Sequence, residues 1–367
     1  KDHAADPIAI AVSPLPGDDR PSVAVLPFVN LSSDPDDAYL ADGIHDEVLT
    51  ELAKVGGLRV ISRTSVMGYR EPRQNLRQIG AELGAGFILE ATFQRIQDRL
   101  RVTTQLINAA RDEHVWAESF DEAFSLETIL AIRTRIACGI AEALQATLTP
   151  AEQALVGARH TDNLAAYEAY FLGRYFQHRP HFTAGDAERA LASFQQAVEL
   201  DSTFALAWLE LANTHAQEVF YWTDASEQRR ALARQAAERA MALDLDSPET
   251  HLELGLFHLW LERDHEAALR ELALAEQEMP NSQELHEARA TVFELQGRFE
   301  EAIREIEVAL TLSPRDESLF TSLGMYHWWS RQYGPAEDYA QRARLLAPDQ
   351  LWPSLTKVFS IWSDRGP

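Results

Sequence analysis

The residues of this chain whose types and spacing could do chemistry fall first into an acidic loop, a histidine pair and a lone cysteine. In "SSDPDDAYLADG", Asp34, Asp36, Asp37 and Asp42 lie within nine positions, a density of carboxylates that could hold a cation. The stretch does not follow a calcium loop, which alternates acids around a glycine at its sixth position and ends on a glutamate at its twelfth. Asp34 and Asp36 flank Pro35 in a turn, and Asp36 or Asp37 falls where a helix needs its N-cap. Negative charge there gains about 0.3–1 kcal/mol from the helix dipole, so the cluster reads as the start of a helix. His178 and His181 in "HRPH" could supply half a metal site, yet no acid or cysteine stands beside them at ligand spacing; the reading is a turn between helices. Cys138, the only cysteine, lies on the apolar stretch "IACGIAEAL" and reads as a small buried hydrophobe. GxSxG, HExxH and a Walker loop are absent, and no GxGxxG follows the first strand, so no enzyme is expected and no cofactor is assigned.

Composition narrows the classes further. The 367 residues are 46% hydrophobic and 9% aromatic, enough for two or three packed domains. With 57 acidic against 33 basic residues the formal charge is -24, which repels phosphate backbones and anionic lipid, so no nucleic acid is expected to bind. No run reaches the roughly 18 consecutive apolar residues of a membrane span. The opening "KDHAADPIAIAVSPLPGDDRPS" is punctuated by Pro, Gly and Asp and reads as a linker over residues 1–21 from a longer chain.

These residues must be positioned by two kinds of element. From Ser22, short β-branched runs alternate with amphipathic stretches. "SVAVLPF" and "LRVISRT" read as buried strands around a helix, "DDAYLADGIHDEVLTELAKV", whose Leu40, Ile44, Val48, Leu49 and Leu52 recur at helical spacing. A short helix (75–84), three strands joined by tight turns (86–96, 99–109 and 114–120) and a long helix ending at "TP" complete an α/β domain over 22–150. Its order is β-α-β-α-β-β-β-α in one mixed sheet. A connector spans 151–163, after which strand signals stop.

From 164 to 350 the chain is helix and turn. Pro280, Pro314 and Pro348 are spaced by 34 residues, as are Ala268, Ala302 and Ala336. That period of paired helices is the signature of tetratricopeptide repeats, of which about five can be traced. "QELHEARATVFELQGRFEEAIREIEVALTLSP" is the clearest, with Ala290, Phe293, Ala302, Ile306, Ala309 and Pro314 at the small, large and terminating positions. Residues 351–367 read as a capping helix and tail. In such arrays the first helix of each pair lines a concave groove, and counting along those helices turns Glu210, Asn213, Glu249, Glu253, Glu284, Glu287 and Glu294 toward it. Trp260, Trp328 and Trp329 fall near the same face. Carboxylates and indoles together suit a cationic ligand or a basic peptide or protein partner, through charge pairing and cation–π contact. The bland alternative is a solvated acidic face with tryptophans packed between helices.

The stretches "SVAVLPFVNLSSDPDDAYLADGI", "LRVISRTSV", "IGAELGAGFILEATFQR" and "RLRVTTQLINAARDEHVWAESFD", with the helix from Leu126, resemble the TolB-like (FlgO-related) domain. That domain precedes tetratricopeptide repeats in bacterial signalling proteins. The resemblance implies a sensor or protein-docking half, attached to a winged-helix DNA-binding domain, a nucleotide cyclase or a protein kinase, often across one membrane span. It implies the extracytoplasmic, periplasmic part of an anchored one-span transcriptional regulator, signalling through a change in geometry or homodimerisation. An envelope assembly scaffold and the regulatory tail of a cyclase or kinase, the latter cytoplasmic, stay open as alternatives. Family members that grip peptide carboxylates use Lys and Arg in the groove, and none is seen on the groove-facing positions here.

Overall fold

The structure, a computed structural model, describes residues 18–70, 75–179, 183–221, 223–243 and 246–348. Most of the expected linker, the expected capping helix and tail, and His181 lie outside the described residues. The α/β domain runs β1 (Ser22–Val25), β2 (Val29–Asn30), α1 (Ala38–Ala53), β3 (Arg59–Ile61), α2 (Arg63–Val66), α3 (Leu76–Leu83), β4 (Phe87–Ile96), β5 (Arg99–Asn108), β6 (Glu113–Ala123) and α4 (Leu126–Ala143). The short β2 and α2 are additions to the order read from sequence. "LRVISRT" is strand only to Ile61, because Ser62 turns the chain into α2.

The sheet is ordered β3-β1-β4-β5-β6, with β2 also pairing β4. β1 is parallel to β3 and β4, while β4, β5 and β6 form an antiparallel meander. β1 is covered on both faces. Val23 and Val25 join the core under α1 and α4, whereas Ala24 and Leu26 join a second one with Ile79 and Leu83 of α3, which is why this strand reads as an unbroken apolar run. Asp37 does occupy the N-cap position of α1, but its carboxylate accepts no capping hydrogen bond: a 3-10 turn, Pro35–Asp37, leads into the helix, and Asp37 lies 3.6 Å from Arg95. Cys138 is half-buried rather than sealed in a core. The connector holds a short helix, α5 (Pro150–Leu155), whose N-cap Thr149 and Glu152 form a capping box; Pro150 thus begins a helix instead of ending one.

Among the described residues ten helices follow: α6 (Leu164–Gln177), α7 (Ala184–Leu200), α8 (Ala205–Phe220), α9 (Glu227–Met241), α10 (Pro248–Phe257), α11 (His265–Glu278), α12 (Gln283–Leu295), α13 (Phe299–Leu312), α14 (Glu317–Trp329) and α15 (Tyr333–Leu346). They form five hairpins stacked as a tetratricopeptide solenoid. Ala190, Ala268, Ala302 and Ala336 are fully buried, since nothing larger fits where a hairpin's two helices touch. α10 ends in a π-helical turn, His258–Glu262, closed by Arg263 in the left-handed region (φ 53°).

The solenoid does not present an empty groove. α1 lies against α6 so closely that a Cβ on Gly43 would meet the Phe171 ring at 2.5 Å, and only glycine fits there. At the other end of the sheet, Ser62 N–H donates to Leu312 O (2.8 Å) and Arg59 Nη1 to Thr311 O (2.9 Å), joining the end of β3 to the last turn of α13. Between them, Asn281 Nδ2 donates to Val55 O (2.9 Å). The seam is apolar where α1 meets α6 and hydrogen-bonded toward β3.

Candidate functional site: an acidic cavity at the domain junction

Where α1 and β3 face the first helices of the solenoid they leave a cavity of about 340 Å³. Asp46 and Glu47 of α1, Arg63, Arg174 of α6, and Glu249, Glu253, Glu284 and Glu287 of α10 and α12 supply its charged walls. Six carboxylates thus face two guanidinium groups. The helical spacing explains the convergence: Glu249 and Glu253 are one turn apart on α10, and Glu284 and Glu287 one turn apart on α12, so each pair points the same way.

Most of these charges are partly spent within the chain. Arg174 bridges Asp46 (3.1 Å) and Glu210, and Arg63 lies 3.7 Å from Asp46. Asp46 is held well below the usual carboxylate range: burial opposes its charge, but Arg174, His178 and Arg63 outweigh burial. Glu47 is bound by Arg133. Lys54, at the end of α1, is 1% exposed and reaches Glu249 (2.7 Å), Glu51 (3.4 Å) and the Leu155 carbonyl (3.3 Å). Burial works against both charges, but their attraction outweighs it: the lysine is held above its usual value and Glu249 below. His160, on the same wall, is pushed down to about 4, chiefly by burial, and is neutral at pH 7.

Three carboxylates keep no cation within 3.5 Å among the described residues. Glu253 accepts from Asn213 Nδ2 (2.6 Å), but its other oxygen stands 4.0 Å from Arg174. Glu287 accepts only from Gln283 (2.7 Å), and Glu284 is open to solvent within the cavity. Burial and the neighbouring Asp316 push Glu287 up to about 8; burial with Glu210 and Glu284 raises Glu253 well above its usual value. Burial and like charge thus hold Glu287 largely protonated near neutral pH and favour the neutral form of Glu253, and an entering cation would favour their charged forms.

Of the residues singled out from sequence, Glu249, Glu253, Glu284 and Glu287 come together here. Glu210 and Asn213 stand directly behind, holding Arg174 and Glu253. Glu294 lies elsewhere, accepting from the Tyr326 hydroxyl (2.9 Å). The tryptophans do not line the cavity. Trp260 packs between two core clusters, Trp329 lies against Phe299 and Tyr326 (ring centroids 5.4 and 5.9 Å), and Trp328 is partly buried on the same helix, so none of these three indoles reaches the cavity. His178 closes α6 and lies 4.0 Å from Asp46. The expectation that the groove lacks basic groups is corrected by Arg174 and Lys54. Counting along the solenoid's first helices missed Lys54, Asp46 and Arg63 because the α/β domain supplies them. One signal was available: Lys54 is the only lysine between Lys1 and Lys357, and it ends an otherwise apolar helix face.

Residues 19–137 match the family described as "HilA/YgeH-like transcriptional regulator, second domain". Over 269 residues the chain is 33% identical to "Putative adenylate cyclase 3" of Rhizobium meliloti (strain 1021), covering 73% of this chain and 45% of that protein. The chain thus spans less than half the length of this relative. Among solved structures, it is similar to a thermophilic tetratricopeptide protein of Thermus thermophilus, TTC0263, at 19% identity and a TM-score of 0.44 over 54% of this chain and 99% of that one. It is similar to PilF of Pseudomonas aeruginosa at 21% identity and a TM-score of 0.42, over 55% and 86%. YrrB, described as a tetratricopeptide protein with an unusual peptide-binding site, matches at 18% identity and a TM-score of 0.36, over 57% and 98%.

Proposed function

We propose that this chain is a non-catalytic sensor module of a bacterial signalling protein, and that a small organic cation is its ligand. The observation that carries the reading is the junction cavity, where Glu253, Glu284 and Glu287 stand without a close cationic partner between two domains. Its volume lies within the range of small-molecule sites. α1 already occupies the concave face that an extended peptide would need, which favours a compact ligand over a basic peptide. Protein partners would then use the outer surfaces of the solenoid. Because the walls belong to both domains, a ligand that binds the closed arrangement more tightly than an opened one shifts their equilibrium, which is the physical requirement for a signal.

The output is the effector attached to the module. The match to a transcriptional regulator's second domain and the TolB-like resemblance support a one-span transcriptional regulator, with this module on the periplasmic side. The likeness to a protein named as an adenylate cyclase supports the regulatory tail of a cyclase on the cytoplasmic side as the second reading. A reporter fused to this module in the full-length protein separates the two by the compartment it reports.

The ligand reading is tested by thermal shift and calorimetry with putrescine, spermidine, agmatine and arginine amide, against magnesium, calcium and citrate as controls. At a concentration 100 times its Kd, a ligand specific for the native state adds about 2.7 kcal/mol of stability. The organic cations should raise the melting temperature, and Glu253→Gln with Glu287→Gln should remove the rise while the apo protein stays folded. No binding by any of them, or equal binding by the double variant, would refute the cationic reading.

A further inference from the structure

We infer that the open edge of the sheet, strand β6, is a homodimerisation surface on which a second copy of this chain pairs antiparallel about a two-fold axis at Ser119. This is independent of the cavity and its ligand.

The sheet's two edges are treated differently. On one side β3 is sealed by the solenoid, through Ser62 N–H to Leu312 O and Arg59 to Thr311 O. On the other, β6 runs for 11 residues and, among the described residues, no strand pairs with its far side. The register shows which backbone groups are unpaired. Phe124 N–H donates to Asp98 O (2.7 Å), one step beyond the Arg99↔Ala123 pair. Antiparallel ladders alternate, so the N–H and C=O groups of Glu118, Phe120 and Glu122 point to β5, and those of Ala117, Ser119 and Asp121 point outward, where Asp121 O accepts from Arg99 Nη2 (2.7 Å).

Exposed edges are normally defended by lysine, proline, inward charge or a β-bulge, and the one bulge in β6, at Val115, lies outside the 117–121 stretch. β6, "EHVWAESFDEA", has no proline and no Lys or Arg, and Val115 on it is 41% exposed. Its acids are neutralised sideways. Asp121 is gripped by Arg99 and Arg101 (2.6 Å each), and Glu118 and Glu122 both pair with Arg135 of α4. With Arg111 3.9 Å from Glu113 as well, four arginines stand against the four carboxylates of β6, so this edge is locally balanced on a chain whose charge of -24 otherwise drives copies apart.

Charge also selects the register. With the axis at Ser119, Ala117 faces the partner's Asp121, Glu118 faces the partner's Phe120 and Trp116 faces the partner's Glu122, so no carboxylate meets another. Moving the axis to Glu118 opposes that residue to its own copy, to Phe120 opposes Glu118 to Glu122, and to Ala117 opposes Glu113 to Asp121; like charges directly opposite are destabilising. The Ser119-centred pairing offers about six backbone hydrogen bonds, two of which reach the Asp121 carbonyls and share them with Arg99. Because the same surface serves both copies and β3 is sealed, assembly stops at two.

The test is the mass of the full chain by light scattering and sedimentation, from about 1 to 100 µM, a range spanning Kd values for moderate association. A dimer is expected. Ser119→Lys should make it monomeric with an unchanged far-UV spectrum. In a Cys138→Ala background, Ser119→Cys should form a disulfide-linked dimer on mild oxidation, and Ala117→Cys alone should not. A wild-type monomer throughout that range, a dimer that persists in Ser119→Lys, or cross-linking as strong at 117 as at 119 would each overturn the proposal.

Discussion

Replacing Lys54 by methionine tests the junction most directly. The side chains are of similar length, so the change removes the ammonium and little volume. Lys54 holds Glu249 at 2.7 Å and Glu51 at 3.4 Å, and is 1% exposed. Without it, Glu51 keeps Arg133 (3.6 Å) and the Gly157 N–H (2.7 Å), but Glu249 loses its only ion-pair partner among the described residues. Stranding one member of a buried pair costs about 3–5 kcal/mol. At roughly 2–4 °C per kcal/mol for a large chain, the melting temperature should fall by about 6–20 °C. Adding Glu249→Gln removes the stranded charge, and the double variant should regain at least about half of the loss, as pair replacements do. Urea denaturation of the wild type, both single variants and the double variant gives the full cycle. A loss below about 1 kcal/mol in Lys54→Met, the range of a solvent-exposed pair, would refute the reasoning, because it would mean the ammonium is hydrated and the junction loose. So would losses that simply add.

Three further outcomes follow from the same structure. Glu287, pushed up to about 8, is protonated in the folded chain at pH values where the unfolded chain has lost that proton, so its contribution to stability is lost as pH rises toward 8. Buried His45, His160 and His215, pushed down to about 4, act in the opposite sense, but only below about pH 6.5, where the unfolded chain takes up protons. The melting temperature should therefore fall from pH 6.5 to 8 and the fall should shrink in Glu287→Gln; an identical slope in that variant would sink the assignment. Gly43→Ala places a methyl into the Phe171 ring and should cost about 1–3 kcal/mol by overpacking, with increased proteolysis between the domains; wild-type stability would show that α1 and α6 can separate freely. Trp329→Ala should cost about 3–5 kcal/mol through lost packing on Phe299 and Tyr326 without changing cation binding; a binding defect in a stable Trp329→Ala would return the indole to the site.

Much of the architecture is local, and so could be read along the chain. The 34-residue step of alanines and prolines fixes the last three hairpins, since a hairpin's two helices touch only where a side chain is small, while the first two depart from that step. Alternation in β4 and β5 and the tight turns between them fix the meander. Short elements escaped: β2 and α2 are too brief to show a period, and Thr149-Pro150 has the composition of a helix stop as much as of a start. The acidic faces of α10 and α12 were legible because helical spacing alone brings Glu249 near Glu253 and Glu284 near Glu287. The tryptophans were misplaced because a helix face says where a side chain leaves the backbone and not which neighbour covers it.

Sequence by itself thus determined that an α/β segment precedes a solenoid of about five helical pairs, and that helical spacing gathers carboxylates on one face of its first helices. Only the tertiary structure decided what that face meets. Contacts such as Lys54–Glu249 and Arg174–Asp46 join residues more than 100 positions apart, and no periodicity encodes a pairing across that distance. The groove expected to await a partner is filled by α1 of the same chain, leaving a partly open cavity where, among the described residues, three carboxylates stay without a close cation. Likewise, the pattern of β6 announced a strand, but whether its far side is covered depends on where the solenoid comes to rest, and it rests against β3.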